Sequence, residues 1–185
     1  MEKEICALYF GSFNPVHSGH IGIASYIASM DEISQLRIIP SPKNPLKDLS
    51  VLADPDLRLK EAVKSFSGIS PKIVVSDVEY HLDPPLYTVK TLEYLIEKEP
   101  EKELILIMGA DNILSIERWY RWEDIMKMVR IWVYPRQNAL AIERCRLYSL
   151  RPEYKGVRYL EGAPEHKISS TMIREKGIVP AEENL

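Results

Sequence analysis

The sequence predicts an α/β protein built on a doubly wound parallel sheet of Rossmann-like type. Three observations carry this. Apolar strand-length runs alternate with helix-length segments along most of the 185 residues. One run, Leu104-Ile105-Leu106-Ile107-Met108, is apolar without alternation, as a central strand covered on both faces must be. The first run, Ile5 to Phe10, passes through Gly11-Ser12-Phe13-Asn14-Pro15 into a helix-forming segment. Such a strand, turn and helix start leave free backbone N–H groups and a positive dipole end for an anion.

The elements follow in order. Ile5 to Phe10 is a strand, Ser18 to Met30 a helix, and Leu36 to Pro40 a second strand stopped by Pro40-Ser41-Pro42. A polar, proline-punctuated loop covers Ser41 to Asp54. Asp56 to Ser65 reads as a helix with Leu57, Leu59, Ala62 and Val63 as its apolar residues. Lys72 to Ser76 is a third strand, and Thr88 to Lys98 a helix with Val89, Leu92, Leu95 and Ile96 on one stripe. The central run ends at Gly109-Ala110-Asp111. Trp119 to Met128 then reads as a helix and Val129 to Tyr134 as a strand. Residues 137 to 167 carry little pattern beyond a final strand near Val157 to Leu160, and a short helical tail is expected from about residue 169. There is no internal repeat and no second core, so residues 1–185 are expected to form a single domain.

Composition narrows the function classes. With 24 basic and 27 acidic residues the net charge is −3, which argues against a broad nucleic-acid surface while leaving room for a local basic pocket. No apolar run reaches membrane-spanning length, and the N-terminus enters a strand without a secretory pattern. Cys6 and Cys145 are far apart in sequence and need no disulfide. The expectation is a cytoplasmic protein with small-molecule partners, no nucleic acid and no membrane; monomer and homodimer both remain open.

Four constellations carry chemistry. In the turn after the first strand, His17 and His20 stand at i, i+3 on one helix face, so both imidazoles can reach one ligand. A zinc site is the competing reading, but no cysteine pair or third histidine stands at ligand spacing. Late in the chain, Ile168-Ser169-Ser170-Thr171-Met172-Ile173-Arg174 offers Ser170 or Thr171 as a helix cap. With Thr171 as the cap, a capping box would place Glu or Gln where Arg174 stands. A cation there opposes the helix dipole unless an external anion is also bound. In the loop Ser41 to Lys47, prolines can hold a lysine over the strand ends; Arg58 is a weaker candidate, its alternative being a salt bridge on its helix. Finally, Pro85 to Thr91, Gly109 to Asn112 and Trp119 to Trp122 bring a hydroxyl, a carboxylate and aromatic faces: Asp111 suits a ribose hydroxyl and Trp119 a flat ring, whereas Trp122 reads as core.

The Gly-Ser-Phe-Asn-Pro-Val-His-Ser-Gly-His turn resembles the signature of the nucleotidylyltransferase superfamily. Together with Tyr87-Thr88-Val89-Lys90-Thr91-Leu92, Gly109-Ala110-Asp111 and Trp119, it resembles the bacterial nicotinate-nucleotide adenylyltransferase family across roughly residues 5 to 174. The resemblance implies adenylyl transfer from ATP to nicotinate mononucleotide, giving deamido-NAD and pyrophosphate, with Mg²⁺ arriving on ATP and no protein metal site. It implies His17, His20, Lys47 and Arg174 as catalytic. It implies an ATP site of Gly11, Ser12, Phe13, His17, His20, Gly109, Asp111, Arg136, Ile168, Ser170, Thr171 and Arg174. Asn14, Lys47, Thr88, Asp111, Trp119 and Tyr120 fall to the mononucleotide, with backbone N–H groups near Thr88 and Tyr120 facing its carboxylate. The chain departs from the family in carrying Leu57-Arg58 where His-Arg is usual, Pro135-Arg136-Gln137 after the fifth strand, and a short segment after Arg174, so a reduced last packing layer is expected. Alternatives are transfer to nicotinamide mononucleotide or phosphopantetheine, a non-catalytic nucleotide sensor on the same fold, or a fragment of an aminoacyl-tRNA synthetase. The acidic balance and the lack of a tRNA-binding extension disfavour the last.

Overall fold

The computed structural model describes residues 3–43, 52–135, 138–165 and 173. Six parallel strands form one sheet: β1 (Glu4–Gly11), β2 (Gln35–Pro40), β3 (Ile73–Val75), β4 (Lys102–Gly109), β5 (Arg130–Tyr134) and β6 (Val157–Tyr159). Their order is β3-β2-β1-β4-β5-β6. The order reverses between β1 and β4, which pair in register from Glu4↔Lys102 to Tyr9↔Ile107. A crevice therefore opens beyond the carboxyl ends of these two strands, where open α/β sheets bind ligands.

Side-chain alternation divides the apolar residues of each central strand between two cores. Cys6 and Leu8 of β1, Leu104, Leu106 and Met108 of β4, and Ile131 and Val133 of β5 face one layer. Ala7 and Tyr9, Ile105 and Ile107, and Trp132 and Tyr134 face the other. This explains the uninterrupted apolar run in β4, since both of its faces need apolar cover. The first layer is completed by α3 (Thr88–Lys98), α4 (Ala110–Ser115), α5 (Trp122–Met128) and α6 (Ala139–Ser149), the second by α1 (Ser18–Ser29) and α2 (Pro55–Phe66). Cys6 and Cys145 are buried free thiols. Among the described residues no helix is long and apolar enough to cross a membrane.

Several expectations need correction. The helix expected from Trp119 to Met128 begins only at Trp122. Trp119 has extended backbone, and Arg121 adopts φ +52°, which breaks any helix running through it. Two short helices precede it unannounced: α4 and a 3₁₀ turn at Ile116–Arg118. Helix α6 lies in the segment that carried little pattern. Its buried side is Ala141, Cys145 and Tyr148, while Leu140, Leu147 and Leu150 are exposed, so apolarity in the sequence points the wrong way. Helix α2 shows the same inversion. Leu57 and Val63 are about half exposed, whereas Arg58 is fully buried beside Ala62 and Phe66. Ile96 lies at the exposed margin of the α3 stripe. Of the two readings of Arg58, the salt bridge does not occur among the described residues, where its guanidinium bonds to four backbone carbonyls.

Candidate active site

The turn after β1 is shaped by Phe13. This residue stands at φ +44°, a left-handed conformation that costs a non-glycine residue roughly 1–2 kcal/mol. Packing offsets that cost. The ring is 1% exposed and meets Tyr9, Phe66 and the imidazole of His20 edge-on at centroid distances of 5.6, 5.7 and 4.9 Å. The ring folds back over Gly11, where a Cβ would come within 2.9 Å of it. Gly11 is thus required by the shape of the turn itself. With its ring buried, Phe13 has its backbone to offer a ligand.

His17 is the N-cap of α1 and is buried; His20 stands one turn on, and the two imidazoles stack at 3.7 Å with 22° between their planes. The backbone N–H of His17 donates to Nδ1 of His20 at 3.3 Å. A neutral His20 ring with that acceptor carries its proton on Nε2, as a donor. Asn14 is buried, and its Oδ1 accepts from the N–H of Ala53 at 3.2 Å, so this side chain ties the turn to the start of α2.

Beside the turn lies a cavity of about 670 Å³. Phe10, Gly11 and Ser12 from the end of β1 and Ser41 after β2 line one part of it; Leu86, Tyr87 and Thr88 at the start of α3 line another. Asn112, Ser115, Arg118, Trp119 and Tyr120, from the segment after β4, complete it. Tyr120 is half exposed and stacks on Tyr87 with ring centroids 4.5 Å apart, leaving an aromatic wall at the mouth. The Ser12 hydroxyl is buried without a hydrogen-bond partner among the described residues. Of the two arginines flanking Trp119, Arg118 lines the cavity. Arg121 is engaged by Glu93 at 2.9 Å and Asp124 at 2.6 Å.

Glu79 also lines the cavity, with 2% of its surface exposed. It sits in a 3₁₀ turn at Val78–His81 and accepts from Thr91 Oγ1 at 2.9 Å. Burial pushes its carboxyl above the usual range, against hydrogen bonds from Ser41 and Thr91 that pull the other way. A raised folded-state value contributes stability that is complete below the unfolded value and is lost as pH rises through the folded one. Glu79→Gln keeps an acceptor for Thr91 and removes the buried charge. We expect it to be relatively more stable than wild type at pH 8 than at pH 4. Urea midpoints at both pH values check this; an unchanged difference between the two proteins would show that the carboxyl keeps its ordinary value.

A cytidylyltransferase-like family model matches residues 8–176. A protein of Flavobacterium psychrophilum named "probable nicotinate-nucleotide adenylyltransferase" is 39% identical over 168 residues, covering 91% of this chain and 83% of that relative. The chain belongs to the nicotinate-nucleotide adenylyltransferase family. A Bacteroides thetaiotaomicron protein of the same name is also 39% identical, over 91% of this chain and 79% of its own length. In fold, the chain is similar to the nicotinic acid mononucleotide adenylyltransferase of Plasmodium falciparum solved with NaAD, at a TM-score of 0.76 and 17% identity over 93% of this chain and 83% of that one.

The residues singled out in the sequence divide into three groups. Gly11, Ser12, Thr88, Trp119 and Tyr120 line the cavity together. His17, His20, Asn14, Gly109 and Asp111 stand outside its lining. The first three belong to the adjoining turn, while Gly109 closes β4 and the exposed Asp111 opens α4. A Cβ at Gly109 would meet no atom within 4 Å, so no protein neighbour demands glycine there. Lys47, Arg136, Ile168, Ser170, Thr171 and Arg174 lie outside the described residues. Sequence reasoning missed Glu79 and Ser41 as lining residues. A lone acid in a polar stretch carries no signal, and only the 3₁₀ turn brings it inward. Among the described residues no three His, Cys, Asp or Glu side chains gather as a metal would need.

Proposed function

We propose that this protein transfers the adenylyl group of ATP to nicotinate mononucleotide, releasing pyrophosphate. The observation that carries the reading is the continuity of the His17–His20 turn with a cavity ending in Trp119, Tyr87 and Tyr120 at the β1/β4 crevice. A helix start suited to an anion thus adjoins a cavity with an aromatic wall. A phosphate oxygen of the mononucleotide attacks the α-phosphorus of ATP in line. A new P–O bond forms, the α–β bridging bond breaks, and pyrophosphate leaves with the electron pair. The attacking phosphate is already anionic, so no protein nucleophile or strong base is needed. Alignment and neutralisation of charge by the histidines, Lys47, Arg174 and helix N–H groups supply the catalysis. Mg²⁺ enters as part of the ATP substrate, keeping several waters. The reading includes a cytoplasmic protein without nucleic-acid partners.

The ring's acid group selects the substrate. Backbone N–H groups near Thr88 and Tyr120 only donate, and a carboxylate only accepts; Arg118 adds a cation to that wall. An amide NH₂ would set donor against donor, costing about 1–3 kcal/mol, or roughly 5–150-fold. Pyrophosphate release with ATP and a panel of acceptors, the two pyridine mononucleotides and phosphopantetheine, tests both claims. We expect kcat/KM for nicotinate mononucleotide to exceed that for the nicotinamide form within that range. Equal values would remove the selectivity, and no release with any acceptor would favour a nucleotide sensor.

A further inference from the structure

Arg58 is fully buried on the inner side of α2. Its Nε donates to the carbonyl of Ala53 at 3.0 Å, Nη1 to those of Ser12 and Ser41 at 2.8 Å each, and Nη2 to that of Pro42 at 2.9 Å. All four acceptors are backbone oxygens, and no carboxylate closes on the guanidinium among the described residues. They belong to three separate pieces of chain: the turn after β1, the exit from β2, and the entry to α2. Ser12 and Ser41, bridged by the single Nη1, both line the cavity. Two further bonds brace the same pieces: Ser41 N–H donates to Gly11 O at 2.9 Å, and Ala53 N–H to Asn14 Oδ1.

A planar fork with five donors can satisfy this many divergent carbonyls at once, and an ammonium cannot. A cation buried without a carboxylate is expensive for a helix to carry when a leucine would pack there. Such a group needs a reason beyond stability.

We propose that Arg58 is a positioning residue for the triphosphate: it fixes the Ser12 turn against the exit of β2 and holds a positive charge behind the turn. The inference rests on reading that turn as the ATP site. Arg58 acts through the turn and touches no substrate.

The test uses binding, so that it stays separate from turnover. ATP is titrated calorimetrically, without acceptor, into wild type, Arg58→Lys and Arg58→Met, and nicotinate mononucleotide is titrated into the same proteins. Each is held at least 15 °C below its own melting midpoint. We expect Arg58→Met to weaken ATP binding at least tenfold while changing mononucleotide binding less than threefold. Arg58→Lys, which keeps the charge and loses the fork, is expected to fall between. If Arg58→Met does not fold, Arg58→Lys alone carries the comparison, with an expected ATP loss of threefold or more. A purely structural role would lower the melting midpoint and the folded fraction with both dissociation constants unchanged, and that result would overturn the proposal. So would wild type failing to bind ATP. Wild type that binds ATP but forms no dinucleotide would sink the proposed reaction and leave the role of Arg58 to be decided by the two affinities.

Discussion

Replacing His20 by alanine is expected to lower kcat by roughly 10²–10³-fold, equivalent to about 3–4 kcal/mol of lost transition-state stabilisation. The fold should survive, because α1 is anchored through Ala24, Ile27 and Ala28 in the core behind it. The effect is large for a geometric reason. His20 is preorganised on three sides: stacked on His17, edge-packed by Phe13, and bonded at Nδ1 by the N–H of His17. Its Nε2 proton is thus committed as a donor before substrate arrives, and no reorganisation is needed when charge develops on the phosphates. His20→Gln retains a donor but not the stacked plane, and should recover part of the rate. Steady-state kinetics with a melting curve on the same preparation decide the matter. A His20→Ala enzyme within threefold of wild type would remove the residue from the chemistry.

The second large effect is on stability, at the opposite end of the sheet from the cavity. Arg37 of β2 reaches across to Glu99, the residue that ends α3, through two hydrogen bonds of 2.6 and 2.5 Å; Lys102, opening β4, reaches the same carboxylate at 2.5 Å. The side chains of Arg37 and Glu99 are only 13% and 21% exposed, so water screens the pair weakly. The Arg37 hydrogen bonds, outweighing the cost of burial and aided by Lys102, hold the Glu99 carboxyl down to about 2. A depressed folded value gives stability that is present above the unfolded value of 4.5 and disappears as pH falls towards 2. The shift corresponds to roughly 3 kcal/mol at neutral pH. Glu99→Gln should therefore melt about 6–12 °C below wild type at pH 7, with the gap closing between pH 4.5 and 2. Turnover well below the melting range should be unaltered. A gap independent of pH would assign the loss to packing.

How far the sequence reveals this depends on where each side chain spends its chemistry. The strands were readable because each central strand is apolar on both faces, a pattern few other structures produce. The histidine turn and the Thr88 and Trp119 segments were readable as a resemblance, and the folded chain brings Ser12, Thr88 and Trp119 to one cavity. Helices α2 and α6 were misread or missed because their long apolar residues face out while an arginine, a cysteine and a tyrosine face in. Arg58 is a weaker candidate in the sequence, and its role was not readable there for a related reason. Among the described residues its guanidinium bonds to carbonyls, and a carbonyl marks no partner in the sequence, since every residue type has one. Glu79 escaped because burial of a carboxyl depends on a turn whose geometry no periodicity announces.

The pairing of β1 with β4 also constrains how the polypeptide can be made. Cys6 lies against Gln35 on one side and Leu104 on the other. The first side can close soon after the second strand emerges from the ribosome. The other cannot close until about 100 residues have been synthesised, which at 5–20 residues per second is on the order of 5–20 s of translation. Through that interval the apolar first strand has one edge open, and the histidine turn at its end has no finished crevice to face. A nascent chain that pauses before β4 is thus a chain with that turn present and its sheet unsealed.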